Sequence, residues 1–453
     1  MAHARRGPLA APARATLERC YAAAVAGAQP GPAVAAALAS WPLPSPSGGV
    51  HLLAVGKAAD GMARAAVAAL AARGVAPAGG LVVAHHPAPS PAPGLEVAAG
   101  DHPIPGARSA RAAARLGAAA ARVGPFDLAV VLLSGGASSL VSAPAAVGLL
   151  TPDDLAAASR TLLGAGVPIG LVNAVRKRVS RWGAGRLARA LAPARVLCLA
   201  VSDVPGDDPV VIGSGPCAPD PWTAAALCHS LRAEHVWPAL PVVLRRALDA
   251  LADAAASDPR AETPKPDDVI FAGVETRVIV TNAHARAAAA AAARAAGYKV
   301  VVHDAWLAGE AASLGRSLAD AVIASLPGTA HVWGGEPAVT LGDAPDARGG
   351  RMQELALAAA ARLHEAGPAA AEVALLAAGT DGRDGPTDAS GAVIDAHTWT
   401  AIRAAGHDPA ADLAAHRSHD ALGAVGALLR AAPTGTNVTD VVIAARAAAG
   451  RWP

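Results

Sequence analysis

The sequence predicts an α/β protein of two domains, the first built on a mainly parallel sheet. Three observations lead there. Short apolar runs ending in Gly, Ser or Asp alternate with alanine-rich runs of helical length, the pattern of strands joined by crossover helices. The strand-like runs are apolar throughout, as in strands buried on both faces. A segment rich in proline and charge, SDPRAETPKPDD (257–268), then interrupts the alternation and reads as a domain boundary. A chain of 453 residues also exceeds a typical single core.

Taken in order, HLLAVG (51–56), GLVVA (80–84), LAVVLL (128–133) and VLCLAVS (196–202) read as strands. The runs 58–73, 107–122, 153–163 and 174–190 read as helices between or after them. Beyond the boundary come TRVIVTN (276–282), a helix at 283–296, YKVVVHD (298–304), and a helix at 309–325. AHVWGG (330–335), a helix at 350–365, VALLAAGTDG (373–382) and DVVIA (440–444) complete the series. The expected domains are residues 1–258, a Rossmann-like αβα sandwich, and 269–453, a smaller C-terminal α/β domain. Nearly every strand ends in Gly, Ser or Asp ahead of a helix, where such sheets place ligands.

Composition limits the partners. An apolar fraction of 53% with 16% charged residues belongs to a folded chain. A net charge of +2 gives no field for nucleic acid or an anionic membrane. Arg176-Lys177-Arg178 with Arg181 is the local exception. Cys20, Cys198, Cys217 and Cys228 form no CxxC pair and no zinc spacing, so buried reduced thiols of a cytoplasmic protein are expected. Arg5-Arg6 precede an apolar stretch that Arg14 and Glu18 cut short, so no secretory signal is expected. The longest uncharged stretch, Leu128 to Thr151, opens on LAVVLL, too short to span a bilayer.

Several strand ends carry groups with chemical potential. AVGKAADGMARAA (54–66) sets Lys57 at a helix start, where its charge opposes the helix dipole. An anion held by the ammonium and the helix N-terminus together would account for it; a lysine reaching to solvent is the plain alternative. The stretch is no Walker A loop, because Ala58 stands where a hydroxyl would be needed. LLSGGASSL (132–140) reads as a turn of Ser134, Gly135 and Gly136, followed by Ser138-Ser139 opening a helix. Such small residues let amides and hydroxyls approach a phosphate, unless the turn is merely tight.

AVSDVPGDDPVVIGSGP (200–216) gathers Asp203, Asp207 and Asp208 ahead of Ser214-Gly215, as magnesium ligands or as caps and turns. HVWGGEPAVTL (331–341) and ARGGRMQELALAAA (347–360) supply Glu336 and Arg351, a clamp for phosphate or carboxylate or else a surface ion pair. LLAAGTDGRDGPTDASG (375–391) places Asp381 and Asp384 just past a strand, as a solvated turn or as a cation or phosphate site. PTGTNVTD (433–440) is a loop rich in glycine and hydroxyls. No HExxH or HxH pair suggests zinc. GAGRLA (183–188) and GAGVPIG (164–170) lack the preceding strand that a dinucleotide fingerprint requires.

Together these stretches resemble one family. GKAADGMA, GDHPIPGARS, LLSGGASSL, NAVRKRVSRWGAGRLA, SDVPGDDPVVIGSGP, GGEPAVTL, GGRMQELAL, GTDGRDGPTDASGAVID and PTGTNVTD are similar, in order, to the glycerate 2-kinases with a C-terminal MOFRL domain. The likeness covers roughly residues 15 to 445, with the MOFRL region at about 330–445. It implies transfer of a phosphoryl group from ATP, with Mg2+, to D-glycerate, giving 2-phosphoglycerate and ADP. It also implies an active site in the cleft between the two domains. The family's active-site lysine, arginine and TDG aspartate fall on Lys57, Arg351 and Asp381. Three departures stand out. Ala137 replaces a glycine of the family's SGGGSA loop, Met352 stands where asparagine is frequent, and His416-Arg417-Ser418 replaces an Asn-Asp-Ser stretch.

On this reading Asp381 orients or deprotonates the attacking hydroxyl, and Lys57 and Arg351 hold the substrate carboxylate and the transferring phosphoryl group. Ser134, Gly135, Gly136, Ser138, Ser214, Gly215 and Glu336 bind phosphates, nucleotide or substrate. Asp203 or Asp207 engages the metal, with Asp384 a further candidate. The expected partners are D-glycerate and ATP, with no nucleic acid and no membrane, and a homodimer is allowed. Members of the family often carry the label hydroxypyruvate reductase. An NAD(P)H-dependent reductase is therefore the alternative, although its fingerprint is missing.

Overall fold

Six strands build the first sheet: β1 (Val50–Val55), β2 (Gly79–Ala84), β3 (Leu95–Ala99), β4 (Leu128–Leu133), β5 (Arg195–Val201) and β6 (Val274–Val280). The computed structural model describes residues 11–43, 48–145, 150–164, 167, 169–342, 344, 346–448 and 452. Arg5-Arg6 and part of GAGVPIG lie outside them. The strand order is β3-β2-β1-β4-β5-β6, and every neighbour runs parallel. β1, β2 and β4 are buried along their whole length, which is why their sequences are apolar without alternation. The winding reverses between β1 and β4. In sheets of this order ligands sit outside the carboxyl ends of the strands at that reversal.

Helices Ala59–Ala71, Ala107–Ala120 and Arg186–Leu191 accompany this sheet. Helices Pro152–Gly164, Ile169–Val179, Ala224–Ala233 and Val242–Ser257 share a separate apolar core that includes Leu162, Val175, Leu227, Leu231, Leu244 and Leu248. The helix expected over 174–190 is two helices, ending at Val179 and resuming at Arg186. Between them Ala184 and Gly185 take positive φ, and their amides bond to the carbonyls of Ser214 and Gly215 instead of continuing a helix. The Arg186 guanidinium donates to the carbonyls of Lys177, Arg178 and Ser180, closing the end of the first helix with a cation.

The second sheet is β7 (Lys299–Leu307), β8 (Thr329–Gly335), β9 (Val373–Gly379), β10 (Gly391–Asp395), β11 (Leu428–Leu429) and β12 (Asp440–Arg446). Its order is β11-β10-β9-β12-β8-β7, and only β7 and β8 are parallel. β9 passes to β10 through a loop without a helix, which suits an antiparallel pair. The late strand β12 inserts between β9 and β8. Helix Arg351–Ala366 is buried almost all round, and its alanines and leucines form the middle of this core.

By contact the chain separates into Pro30–Val280 and a second unit that combines Met1–Gln29 with Thr281–Pro453. The boundary differs from the one expected at 258–269. β6 completes the first sheet beside β5, so the chain up to Val280 stays with that unit. Helix Ala11–Gly27 belongs with the later chain: Arg14 donates to the carbonyls of Gly426 and Leu428, and Thr436 donates to that of Ala28. The run Ala11–Ser40 is long and apolar enough, by length and composition, to cross a membrane. It is two helices, Ala11–Gly27 and Pro30–Ser40, and each buries a face that includes Leu17 and Tyr21 in one and Val34 and Leu38 in the other.

Candidate active site

In the first unit the groups expected at the strand ends meet where the winding reverses. Lys57 follows β1, and Ser134 to Gly136 follow β4. The Lys57 amide donates to the Gly135 carbonyl (2.9 Å) and the Ala58 amide to the buried Ser134 hydroxyl (3.0 Å), so the two turns are joined. Gly136 has φ +84, a backbone that costs glycine little. A Cβ on it would stand 2.9 Å from the His102 ring and 3.5 Å from Lys57 Cγ, which locates both side chains over the same turn. Ala137 begins the short helix Ala137–Leu140 and is not among the residues with positive φ, so the alanine that replaces the family's glycine carries no strain.

Ser138 and Ser214 share a hydrogen bond of 2.7 Å between their hydroxyls. Ser214 (φ +69) lies between Gly213 (φ +56) and Gly215 (φ +59), three left-handed residues in succession. For the serine this costs on the order of 1–2 kcal/mol. The bonds from the Ala184 and Gly185 amides, 2.8 Å each, hold the strained turn in place. Strain of this kind concentrates where a side chain must be presented in one direction. His102 escaped the sequence reading, although GDHPIPGARS was part of the likeness.

Within the basic run Lys177 and Arg178 are buried, Arg176 is half-buried and Arg181 is exposed. Arg178 is buried and pairs with Asp220 (3.3 Å) and Glu262. Burial would raise the Glu262 carboxyl, but the Ala224 amide and Arg178 hold it down at about 2. Asp203 follows β5 half-buried, Asp207 takes φ +55, and Asp208 accepts from the Val210 amide (2.9 Å). Among the described residues no group of three or more His, Cys, Asp or Glu is arranged to hold a metal ion.

In the second unit three strand ends converge. Asp440 opens β12 and pairs in register with Gly335, the end of β8, on one side and Gly379, the end of β9, on the other. Its carboxylate is 3% exposed and accepts from Arg351 Nε (2.5 Å) and Nη2 (3.3 Å). Arg351 Nη1 donates to Glu336 (2.7 Å), which follows β8. Burial works against the Arg351 charge, and the flanking carboxylates more than offset it, so its pKa lies above the ordinary value. Burial pushes the Asp440 carboxyl up, to about 7, against the pull of Arg351. Asp381 accepts from the Arg383 amide (3.0 Å). A Cβ placed on Gly379 would stand 2.4 Å from the Arg383 carbonyl, 3.2 Å from Asp381 Oδ1 and 3.4 Å from Asp440 Oδ1, so both carboxylates border the same glycine. The Tyr21 hydroxyl donates to the Gly379 carbonyl (2.7 Å) beneath them. Sequence reasoning singled out Glu336, Arg351 and Asp381 and passed over Asp440 and Tyr21.

Asp384 has a different office from the one expected. It is buried, and its carboxylate accepts from the amides of Met352 (3.1 Å) and Gln353 (2.8 Å) and the Gln353 side chain (2.9 Å). It therefore caps the helix that Arg351 begins. A Cβ on Gly350 would stand 2.3 Å from the Asp384 carboxyl carbon, so only glycine permits this approach. The metal reading of Asp384 does not fit a carboxylate so engaged. Met352, in place of the family's frequent asparagine, lies in the core. His416 and His419 bracket Arg348: its amide donates to the His416 carbonyl (2.8 Å), and its carbonyl accepts from the His419 amide (3.0 Å). The departing segment thus braces the loop ahead of Arg351.

Residues 16–249 match the family described as Domain of unknown function (DUF4147), and residues 329–440 match the MOFRL family. A protein of Agrobacterium vitis named "Putative hydroxypyruvate reductase" is 38% identical over 75% of this chain and 75% of its own. A "Glycerate 2-kinase" of Pyrococcus horikoshii is 33% identical over 76% of each chain. The crystal structure of a glycerate kinase from Thermotoga maritima superposes with a TM-score of 0.78 at 31% identity, covering 96% of this chain and 99% of that one. The chain belongs to this family, in which a DUF4147 domain precedes a MOFRL domain.

Proposed function

We propose that the protein transfers the γ-phosphoryl group of ATP to the 2-hydroxyl of D-glycerate, giving 2-phosphoglycerate and ADP. The observation that carries this reading is the joined pair of turns after β1 and β4. They bring the Lys57 chain to an amide- and hydroxyl-rich loop at the sheet's ligand-binding end. The names of the relatives point the same way.

Phosphoryl transfer is mostly positioning and charge neutralisation. Ser134, Gly135, Gly136, Ser138, Ser214 and Gly215 would cradle phosphates. Lys57 and Arg351 would hold the substrate carboxylate and the transferring group, with Glu336 fixing one edge of the arginine. The glycerate hydroxyl oxygen bonds to the γ-phosphorus as the bond to ADP breaks, and its proton passes to Asp381. Magnesium, when bound, would neutralise phosphate charge. Asp203 and Asp207 would hold it, and two carboxylates suffice for an ion that arrives on a nucleotide. The reading places the enzyme in the cytoplasm, which four buried, unpaired cysteines support, and a homodimer is compatible with it.

The strand order β3-β2-β1-β4-β5-β6 also favours a second reading, a nicotinamide-dependent hydroxypyruvate reductase. Against it, the turn after β1 reads Gly56-Lys57-Ala58 and lacks the glycine fingerprint. The test is a coupled assay with D-glycerate and ATP, followed by NMR of the product. ADP release with phosphorus on C2 is the expected result. NADH consumption with hydroxypyruvate, and no ADP from D-glycerate, would establish the reductase instead.

A further inference from the structure

We propose that Asp440 is a positioning residue for the reaction: it locks the Arg351 guanidinium in one orientation, so that its remaining N–H groups are aimed at the substrate's anionic group. This deepens the reading above and rests on it for the substrate.

The geometry is built for such a lock. Asp440 begins the central strand β12, and its partners on either side, Gly335 and Gly379, carry no side chains. The carboxylate therefore lies against backbone, in a slot where it is 3% exposed. From there it takes Arg351 side-on, through Nε and Nη2, while Glu336 takes Nη1. A guanidinium has five N–H donors. Three are spent on the two carboxylates, which leaves one on each terminal nitrogen. Donors of that kind suit a carboxylate or phosphoryl group.

The other end of the arginine is fixed as well. Its backbone begins the helix that Asp384 caps. Both the root and the head of the side chain are thus held by buried carboxylates from different strand ends. A ligand meeting Arg351 need not spend binding energy on ordering it.

The charged and titratable groups facing Asp440 are Arg351 from the helix, Glu336 beyond β8, Asp381 and Asp384 beyond β9, and Tyr21 from the N-terminal helix. Burial, aided by Asp384 and Glu336, keeps a proton within reach of Asp440 near neutral pH. Protonation removes one acceptor and loosens the arginine.

The experiment compares wild type with Asp440→Asn in steady-state kinetics from pH 5.5 to 9. Alongside it, NMR follows the Arg351 Nε–H signal, assigned by its loss in Arg351→Lys. A shift of about 1 Å in a positioned group is worth roughly 100-fold in rate. We expect kcat/KM for D-glycerate to fall about that much in Asp440→Asn, with KM for ATP within about 2-fold. The wild type should lose activity as pH falls through about 7, and the variant should lack that limb. The Nε–H signal should follow the same titration. Wild-type kcat/KM and an unchanged pH profile in Asp440→Asn overturn the proposal. If Asp440→Asn fails to fold, exchange of the wild-type Nε–H with solvent decides: strong protection from exchange supports the lock, and exchange as fast as that of a free arginine overturns it. If wild type forms no ADP from D-glycerate, the kinase reading falls, and the same signal still decides the lock.

Discussion

Replacing Asp384 with alanine separates a structural aspartate from a metal ligand. The wild-type carboxylate satisfies two backbone amides at the start of helix Arg351–Ala366 and one side-chain N–H, all out of water. Leaving two buried amides without their acceptor costs about 1–2 kcal/mol each, which is the same loss that a missing helix cap represents. Part of this is returned, because burial already pushes the Asp384 carboxyl up and its removal relieves that penalty. Gln353 also keeps its bonds to the Asp384 carbonyl and the Thr387 hydroxyl. The net loss is therefore about 2–3 kcal/mol, or roughly 4–12 °C in Tm for a domain of this size. Asp384→Asn, which retains one oxygen acceptor, should lose about half as much. Circular dichroism melts give the stability, and magnesium titration of turnover gives the metal requirement. The expected result is a lowered Tm with an unchanged magnesium midpoint. A Tm within about 1 °C of wild type, together with a magnesium midpoint raised about tenfold, would refute the cap and restore the ligand.

The remaining predictions concern the chemistry. Lys57→Ala should fold normally and lose about 30- to 1000-fold in kcat, equivalent to roughly 2–4 kcal/mol of transition-state stabilisation. Turnover close to wild type would remove Lys57 from the reaction. Asp203→Asn should raise the magnesium concentration needed for half-maximal activity; superimposable magnesium curves would make Asp203 structural. Asp381→Asn should lower kcat strongly while calorimetric affinity for ATP stays within about 2-fold, as expected of a group that acts only on the hydroxyl. Normal turnover in that variant would return Asp381 to the role of a turn residue.

β1, β2, β4 and β5 were legible because they are apolar for a physical reason, burial on both faces, and because helices separate them; β3, half-buried, was not read as a strand, and β6, which carries Glu275 and Arg277, was placed beyond the boundary. In the second unit the sequence marks strands but not their direction: β9 is as fully buried as β1 and β12 nearly so, and the antiparallel pairing left no mark. Helix Ala11–Gly27 lies far in sequence from the chain it packs on, and so gave no hint of its unit. Among the candidate residues, those whose neighbours in sequence hint at a use were singled out: Lys57 at a helix start and Ser134 to Gly136 in a glycine turn. Asp440 was missed because its partner Arg351 is 89 residues away, and an acidic residue at a strand edge looks locally like any turn.

The aspartates of GTDGRDGPTD show why spacing alone could not assign the chemistry. Asp381, Asp384 and Asp388 sit three and four residues apart in one loop, and the sequence offers no ground for preferring one. The fold gives them three environments. Asp388 reaches solvent, where the His419 side chain and then Arg430 hold its carboxyl down at about 2, so it stays ionised and engaged in surface ion pairs. Asp384 is buried and spends its oxygens on the start of a helix. Of the three, Asp381 stands over Gly379 beside Asp440 and is half-buried. A group that must accept a proton in the reaction has to be reachable by a ligand and also fixed. Asp388 is too exposed for the second requirement, and Asp384 too enclosed for the first. That leaves Asp381 as the aspartate of this loop suited to the hydroxyl. The loop's carboxylates thus divide three ways: Asp381 borders Gly379 beside Asp440, Asp384 caps the helix that Arg351 begins, and Asp388 ties the loop to His419 and Arg430.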